Sequence, residues 1–261
     1  AMLKTHDRIN LVKASSKDFN CTYVYANLLG NEAGRMIYDG ELLIAQQGEL
    51  VLRNDLLSFQ PSQLAYLDIR PDAILEKKVV APDKKELEFP KATALALYDY
   101  LRKSKTKGYT LSLSGGADSA TCAIMVAEMV KRGIDTLGKK DFLAGINREE
   151  LLKLDEKQIV GALFNTAYQS TRNSTETTRT AAQELADSIG ATFYQWSIDE
   201  AVASFTSGIE KALGRSLSWE TDDLALQNIQ SRSRSPMIWM LTNITGTLLL
   251  TTSNRSEGDV G

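Results

Sequence analysis

The chain has 261 residues, 43% hydrophobic and 24% charged, and its 30 Lys and Arg against 33 Asp and Glu leave a formal net charge of −3. That balance describes a globular protein of one large or two ordinary domains and offers no electrostatic basis for broad nucleic-acid binding. Two cysteines, Cys21 and Cys122, exclude a disulfide framework and suit a reducing, cytoplasmic compartment, while a single histidine, His6, removes a Ser/His/Asp triad and a multi-histidine metal site. The most apolar runs, 123–130 and 247–250, fall far short of the roughly 20 residues a membrane helix needs, and the N-terminus lacks a signal-peptide pattern.

In chain order, residues 21–27, 40–45, 49–53 and 64–69 read as strands, with a glycine turn at 46–48 closing a hairpin. Composition then shifts through Arg70-Pro71-Asp72 to a charged stretch at 76–89, the signature of a linker. From residue 91 to 104 the apolar positions Ala94, Leu95, Tyr98 and Leu101 recur at helical spacing. The second half alternates: strand 109–113, helix 118–132, strand 159–167, helix 176–189 ending at Gly190, strand 192–197 and strand 247–252. Such alternation predicts an α/β fold with a parallel sheet covered on both faces. Residues 133–158 read as an insertion carrying a short helix.

The sharpest motif is Ser112-Leu113-Ser114-Gly115-Gly116-Ala117-Asp118-Ser119, a strand that stops at paired glycines and opens into a helix. Glycines let the backbone approach an anion, and free N–H groups at a helix start favour phosphate. Ser114 and Ser119 add hydroxyl donors, and Asp118 adds a hard oxygen ligand for magnesium. No Lys-Ser/Thr ending follows, so a P-loop is not implied. An ordinary glycine turn before a capped helix is the bland alternative.

This string resembles the PP-loop of the N-type ATP pyrophosphatases, Rossmann-like adenine nucleotide α-hydrolases that cleave ATP between its α and β phosphates. The loop is shared with GMP and asparagine synthetases and tRNA-thiolating enzymes, and a nucleotide-binding module without turnover would carry it too. Two further segments, 249–257 and Gln227-Asn228-Ile229-Gln230-Ser231-Arg232, are similar to those of NAD synthetases, although Thr251 stands where that family usually has glycine. The resemblance implies ATP contacts at Ser112, Ser114, Gly115, Gly116, Ala117, Asp118, Ser119 and Thr252, and deamido-NAD contacts at Asn228 and Glu257. It also implies Mg²⁺ held by Asp118 and Glu257, with ATP as co-substrate.

Residues 19–40 are similar to the last part of the nitrilase-like αββα glutaminase domain of glutamine-dependent NAD synthetases. The implied layout is 1–75 as the C-terminal part of that domain, 76–89 as linker and 90–261 as a synthetase domain cut at its C-terminus. In that family pattern the glutaminase Glu, Lys and Cys lie upstream, so no catalytic nucleophile is expected here, and both Cys21 and Cys122 are expected as buried small hydrophobes. The implied function is ATP-dependent amidation of deamido-NAD, with ammonia from glutamine, by a homo-oligomer without nucleic-acid or membrane partners. A fragment lacking the ammonia source and the closing loop is expected to be inactive.

Overall fold

The computed structural model describes residues 4–32, 36–70, 73–74 and 76–253. The chain divides into two compact units, Ala1–Lys105 with Glu128–Leu152, and Thr106–Ala127 with Lys153–Gly261.

In the first unit, α1 (Thr5–Asp18) precedes β1 (Tyr23–Ala26), β2 (Leu29–Glu32), β3 (Met36–Asp39), β4 (Leu42–Gln46), β5 (Glu49–Arg53), β6 (Lys78–Val79) and α2 (Lys85–Ser104). The main sheet has the order β1-β4-β5-β6, and β2 pairs with β3 as a separate antiparallel hairpin. Gln47 and Gly48, both at positive φ, make the two-residue turn between β4 and β5. Val12, Leu43 and Ala45 form the core beneath α1, with Ile9, Tyr23, Tyr25 and Leu50 packed around it. Residues 64–69, expected as a strand, belong to none of the sheets; Leu64 and Tyr66 are exposed and no ladder claims their backbone. Helix α2 starts six residues before the expected position and carries Pro90 inside it. Cys21 is also a correction: it is exposed, in the turn between α1 and β1, rather than buried.

A buried ionic cluster ties α1 to this sheet. Arg8 Nη2 lies 2.6 Å from Asp39 Oδ2, Arg8 Nε 2.8 Å from Glu41 Oε2, and Arg53 Nε 2.9 Å from Glu41 Oε1. Burial works against the Asp39 charge, but hydrogen bonds from Arg8 and Asn27 outweigh it and hold the carboxyl below the usual range. At Glu41 burial prevails over both arginines and raises the carboxyl. A carboxyl depressed on folding stabilises above its unfolded value, about 3.9, and loses that contribution as pH falls through the lower folded value. Asp39→Asn is therefore expected to reduce stability by about 2–3 kcal/mol at pH 7 and by less in acid, once the pH has fallen through the depressed folded value, read from denaturant unfolding at neutral and at acid pH. An equal difference at both would place the loss outside this charge.

The second unit is the α/β half. Its elements are β7 (Tyr109–Ser112), the start of α3 (Ala117–Leu137), α5 (Glu156–Leu163), β8 (Phe164–Ser170), α6 (Glu176–Ile189), β9 (Thr192–Ser197), α7 (Asp199–Leu213), α8 (Asp223–Arg232), α9 (Arg234–Thr245) and β10 (Leu248–Leu250). Helix α4 (Lys139–Gly145) and a 3₁₀ turn at Glu149–Leu151 group with the first unit. The sheet order is β10-β7-β8-β9 and every pairing is parallel. Tyr109, Leu111, Ala123, Val126, Phe164 and Ala167 fill its core. The run 159–167, expected as a strand, splits: Asp155 and Gln158 form a capping box that starts α5, and the strand begins only at Phe164.

The chain walks from β7 to β8 to β9 and then returns to place β10 on the other side of β7. The order reverses between β7 and β10, and at such a switch point the connections diverge and leave a crevice at the carboxyl ends of the strands.

Candidate nucleotide site

The paired-glycine loop occupies the carboxyl end of β7. Leu113 N–H donates to Ala167 O at 2.9 Å, continuing the ladder one residue past the strand, and the chain then turns into α3. Gly115 has φ +81°, and a Cβ there would lie 2.4 Å from the backbone oxygen of Thr178 on α6, so only glycine fits. Two serines brace the turn. Ser119, almost fully buried, accepts from Ser114 N–H at 3.2 Å and donates to Gly116 O at 3.1 Å; Ser114 Oγ in turn accepts from Gly116 N–H at 3.3 Å. The Ser119 hydroxyl, expected as a phosphate donor, is thus engaged within the loop.

Ser114, Gly116, Ala117 and Asp118 are exposed. The first N–H groups of α3 have no carbonyl of their own helix to bond, and the positive end of the helix dipole lies there, which suits an anion. Asp118 stands in the first turn of α3 with its carboxylate in solvent. One turn on, Cys122 is half-buried rather than fully buried as expected; burial, and then the Asp118 charge, raise its thiol.

Beside the loop lies a crevice of about 230 Å³ lined by Ser112, Gln169, Arg234, Ile238, Thr251 and Thr252, among others. The structure thus brings two of the expected ATP contacts, Ser112 and Thr252, to the walls of one crevice at the switch point between β7 and β10. Asn228, on α8, is exposed and does not line it. Glu257, and with it the expected pairing with Asp118, lies outside the described residues. Among the described residues no three His, Cys, Asp or Glu side chains form a metal-holding group. Magnesium nevertheless fits Asp118, because that ion takes one or two carboxylates and fills its other positions with water and phosphate oxygens. Gln169 was missed in the sequence; it is one of four polar residues in β8, with Asn165, Thr166 and Ser170, and no local signal sets it apart.

The chain is 27% identical over 295 residues to a glutamine-dependent NAD(+) synthetase of Dictyostelium discoideum, matching 92% of this chain and 41% of that protein. The human glutamine-dependent NAD(+) synthetase is 25% identical over 317 residues, matching 99% of this chain and 45% of that protein. The chain therefore spans less than half the length of these relatives. A crystal structure of a glutamine-dependent NAD(+) synthetase from Cytophaga hutchinsonii superposes with a TM-score of 0.91 at 55% identity, over 100% of this chain and 45% of that one. A second, from Acinetobacter baumannii, shares the fold at 23% identity and a TM-score of 0.77, over 100% of this chain and 43% of that one. Residues 90–261, which contain the paired-glycine loop, all four parallel strands and the crevice, match the NAD synthase family, and the chain belongs to that family.

Proposed function

We propose that the whole protein amidates deamido-NAD to NAD, consuming ATP through an adenylate and releasing AMP and pyrophosphate, with ammonia drawn from glutamine. The observation that carries this reading is the Gly115 turn, which presents an exposed backbone and a helix start beside a crevice able to take a nucleoside. We assign residues 1–75 to the end of a nitrilase-like glutaminase domain, 76–89 to a connecting segment and 90–261 to the synthetase; the start of the family match at residue 90 supports that division. The segment 76–89 is not a bare linker, since it carries β6 and the first turn of α2, and the compact units divide after Lys105 instead.

In this scheme a carboxylate oxygen of deamido-NAD attacks the α-phosphorus of ATP, and the bond to the bridging oxygen breaks. Ammonia then attacks the activated carbonyl carbon, AMP departs with the bonding electrons, and the nitrogen loses one proton to give the amide. The chain's residues act by position and charge. Of the backbone N–H groups from Ser114 to Ser119 expected on the pyrophosphate, those of Ser114 and Gly116 are engaged within the loop. The helix-opening N–H groups of Ala117 to Ser119 therefore hold it in this reading, and Ser112 and Thr252 seat the nucleoside. Asn228 faces the dinucleotide in this reading. Asp118, with Glu257, would hold Mg²⁺, which when bound neutralises charge developing on the leaving group.

Pyrophosphate exchange into ATP, measured on the protein at its full natural length with deamido-NAD, XMP or aspartate, is expected with deamido-NAD alone. Exchange driven by XMP or aspartate would reassign the substrate, and ATP binding without AMP release would indicate a module that binds but does not turn over.

We further propose that the protein works as a homo-oligomer in the cytoplasm. Helices α7 and α8 bury no residue, and Ile209, Leu213, Leu224, Trp239, Met240 and Ile244 on α7–α9 are exposed, an apolar surface suited to a second copy. Both cysteines are free, and no described helix is long and apolar enough to cross a membrane.

A further inference from the structure

Three polar side chains on neighbouring strands form a directed chain at the edge of the crevice. Gln169 on β8 is opposite Trp196 on β9, and Ser112 on β7 is opposite Ala167, two residues before Gln169. Strand side chains alternate between faces, so Ser112, Gln169 and Trp196 share one face. Trp196 Nε1 lies 3.2 Å from Gln169 Oε1, and Gln169 Nε2 lies 3.1 Å from Ser112 Oγ.

An indole N–H can only donate, which fixes the Gln169 oxygen toward Trp196 and its NH₂ toward Ser112. The Ser112 oxygen must then accept, so its single proton is left for another partner. Among the described residues no acceptor takes that proton. Gln169 is 7% exposed, so water competes little for its amide, and it lines the crevice together with Ser112 and Thr252.

We propose that Gln169 is a positioning residue that turns the Ser112 hydroxyl outward as a donor, so that the crevice selects a nucleotide carrying a hydrogen-bond acceptor on its nucleoside part. The inference rests on the reading of this crevice as the seat of ATP's nucleoside. Phosphates lie with the paired-glycine loop in that reading, so Gln169 acts on ATP and not on free pyrophosphate.

The test is a double-mutant cycle read by titration calorimetry with ATP and, separately, with pyrophosphate. Gln169→Met keeps side-chain length and removes both hydrogen bonds. It is expected to weaken ATP binding about three- to tenfold, the range of one neutral hydrogen bond, and to leave pyrophosphate binding unchanged. In a Ser112→Ala background the same change is expected to have no effect on ATP. Equal losses in both backgrounds, or a parallel loss of pyrophosphate binding, would overturn the positioning role while leaving the nucleotide site standing. Failure of the unaltered protein to bind ATP would overturn the site itself and the inference with it. If Gln169→Met does not fold, Trp196→Phe removes the donor that orients the amide. A twofold to fivefold ATP loss that vanishes with Ser112→Ala is then expected, and a loss independent of Ser112 would overturn the role.

Discussion

Gly115→Ala is expected to lower stability by about 2–4 kcal/mol and to abolish ATP and pyrophosphate binding, whereas Gly116→Ala is expected to leave stability within about 1 kcal/mol and to weaken binding alone. At Gly115 two effects add. Its φ of +81° is disfavoured for any residue with a Cβ, and that Cβ would sit 2.4 Å from Thr178 O and 3.1 Å from Thr178 C. These are backbone atoms of α6, which cannot swing aside as a flexible side chain would, so the loop must move instead. Gly116 has no positive φ, and a methyl group placed there would find its nearest atom, Ser114 Oγ, 3.4 Å away, an ordinary contact. Gly116 is exposed, so in the proposed function a methyl group there obstructs the bound anion rather than the fold. Denaturant unfolding with calorimetric titration of pyrophosphate separates the two. Equal stability losses would remove the distinction between a glycine needed by the fold and one needed by the anion.

The loop's surroundings were legible in the sequence to differing degrees, for physical reasons. Helix α6 lies at 176–189 as expected, because a Thr175 N-cap and a left-handed Gly190 mark its ends chemically. Strands β7 and β9 were equally plain, each bounded by turn residues. The run 159–167 misled because Ile159, Val160, Leu163 and Phe164 are apolar in either periodicity; the decisive signal was the Asp155–Gln158 capping box. Helix α1 went unseen because Val12 is its sole buried apolar residue, which leaves almost no amphipathic pattern. Helix α7 does carry a readable pattern, with Ala201, Val202, Phe205 and Ile209 recurring at helical spacing, but it went unread in the sequence, and none of these residues is buried. In the site, the glycine turn and Ser112 could be read locally, since adjacent residues create them. The Gln169 relay joins residues 57 and 27 positions apart, a juxtaposition that exists only once three strands are in register.

Asp118→Asn is expected to reduce adenylate formation by a factor of about 10²–10³ or more while changing stability by less than about 1 kcal/mol. The separation follows from where the carboxylate stands. It is exposed in the first turn of α3, so the fold loses little beyond a favourable charge at the positive end of a helix. Its neighbourhood on the ligand side is different: in the proposed function the helix-opening N–H groups and the exposed Gly116 backbone receive phosphate, and the negative charge that accumulates on a departing pyrophosphate needs a counter-charge. Asparagine keeps the shape and one oxygen but loses the charge that attracts a divalent cation. Two measurements on the protein at full length check this. Magnesium titration of ATP binding by calorimetry is expected to show a marked affinity gain in the unaltered protein and little in Asp118→Asn. Deamido-NAD-dependent exchange of pyrophosphate into ATP is expected to fall in parallel. Retained exchange with an unchanged magnesium dependence would place the cation on other residues and leave Asp118 as a helix-end charge.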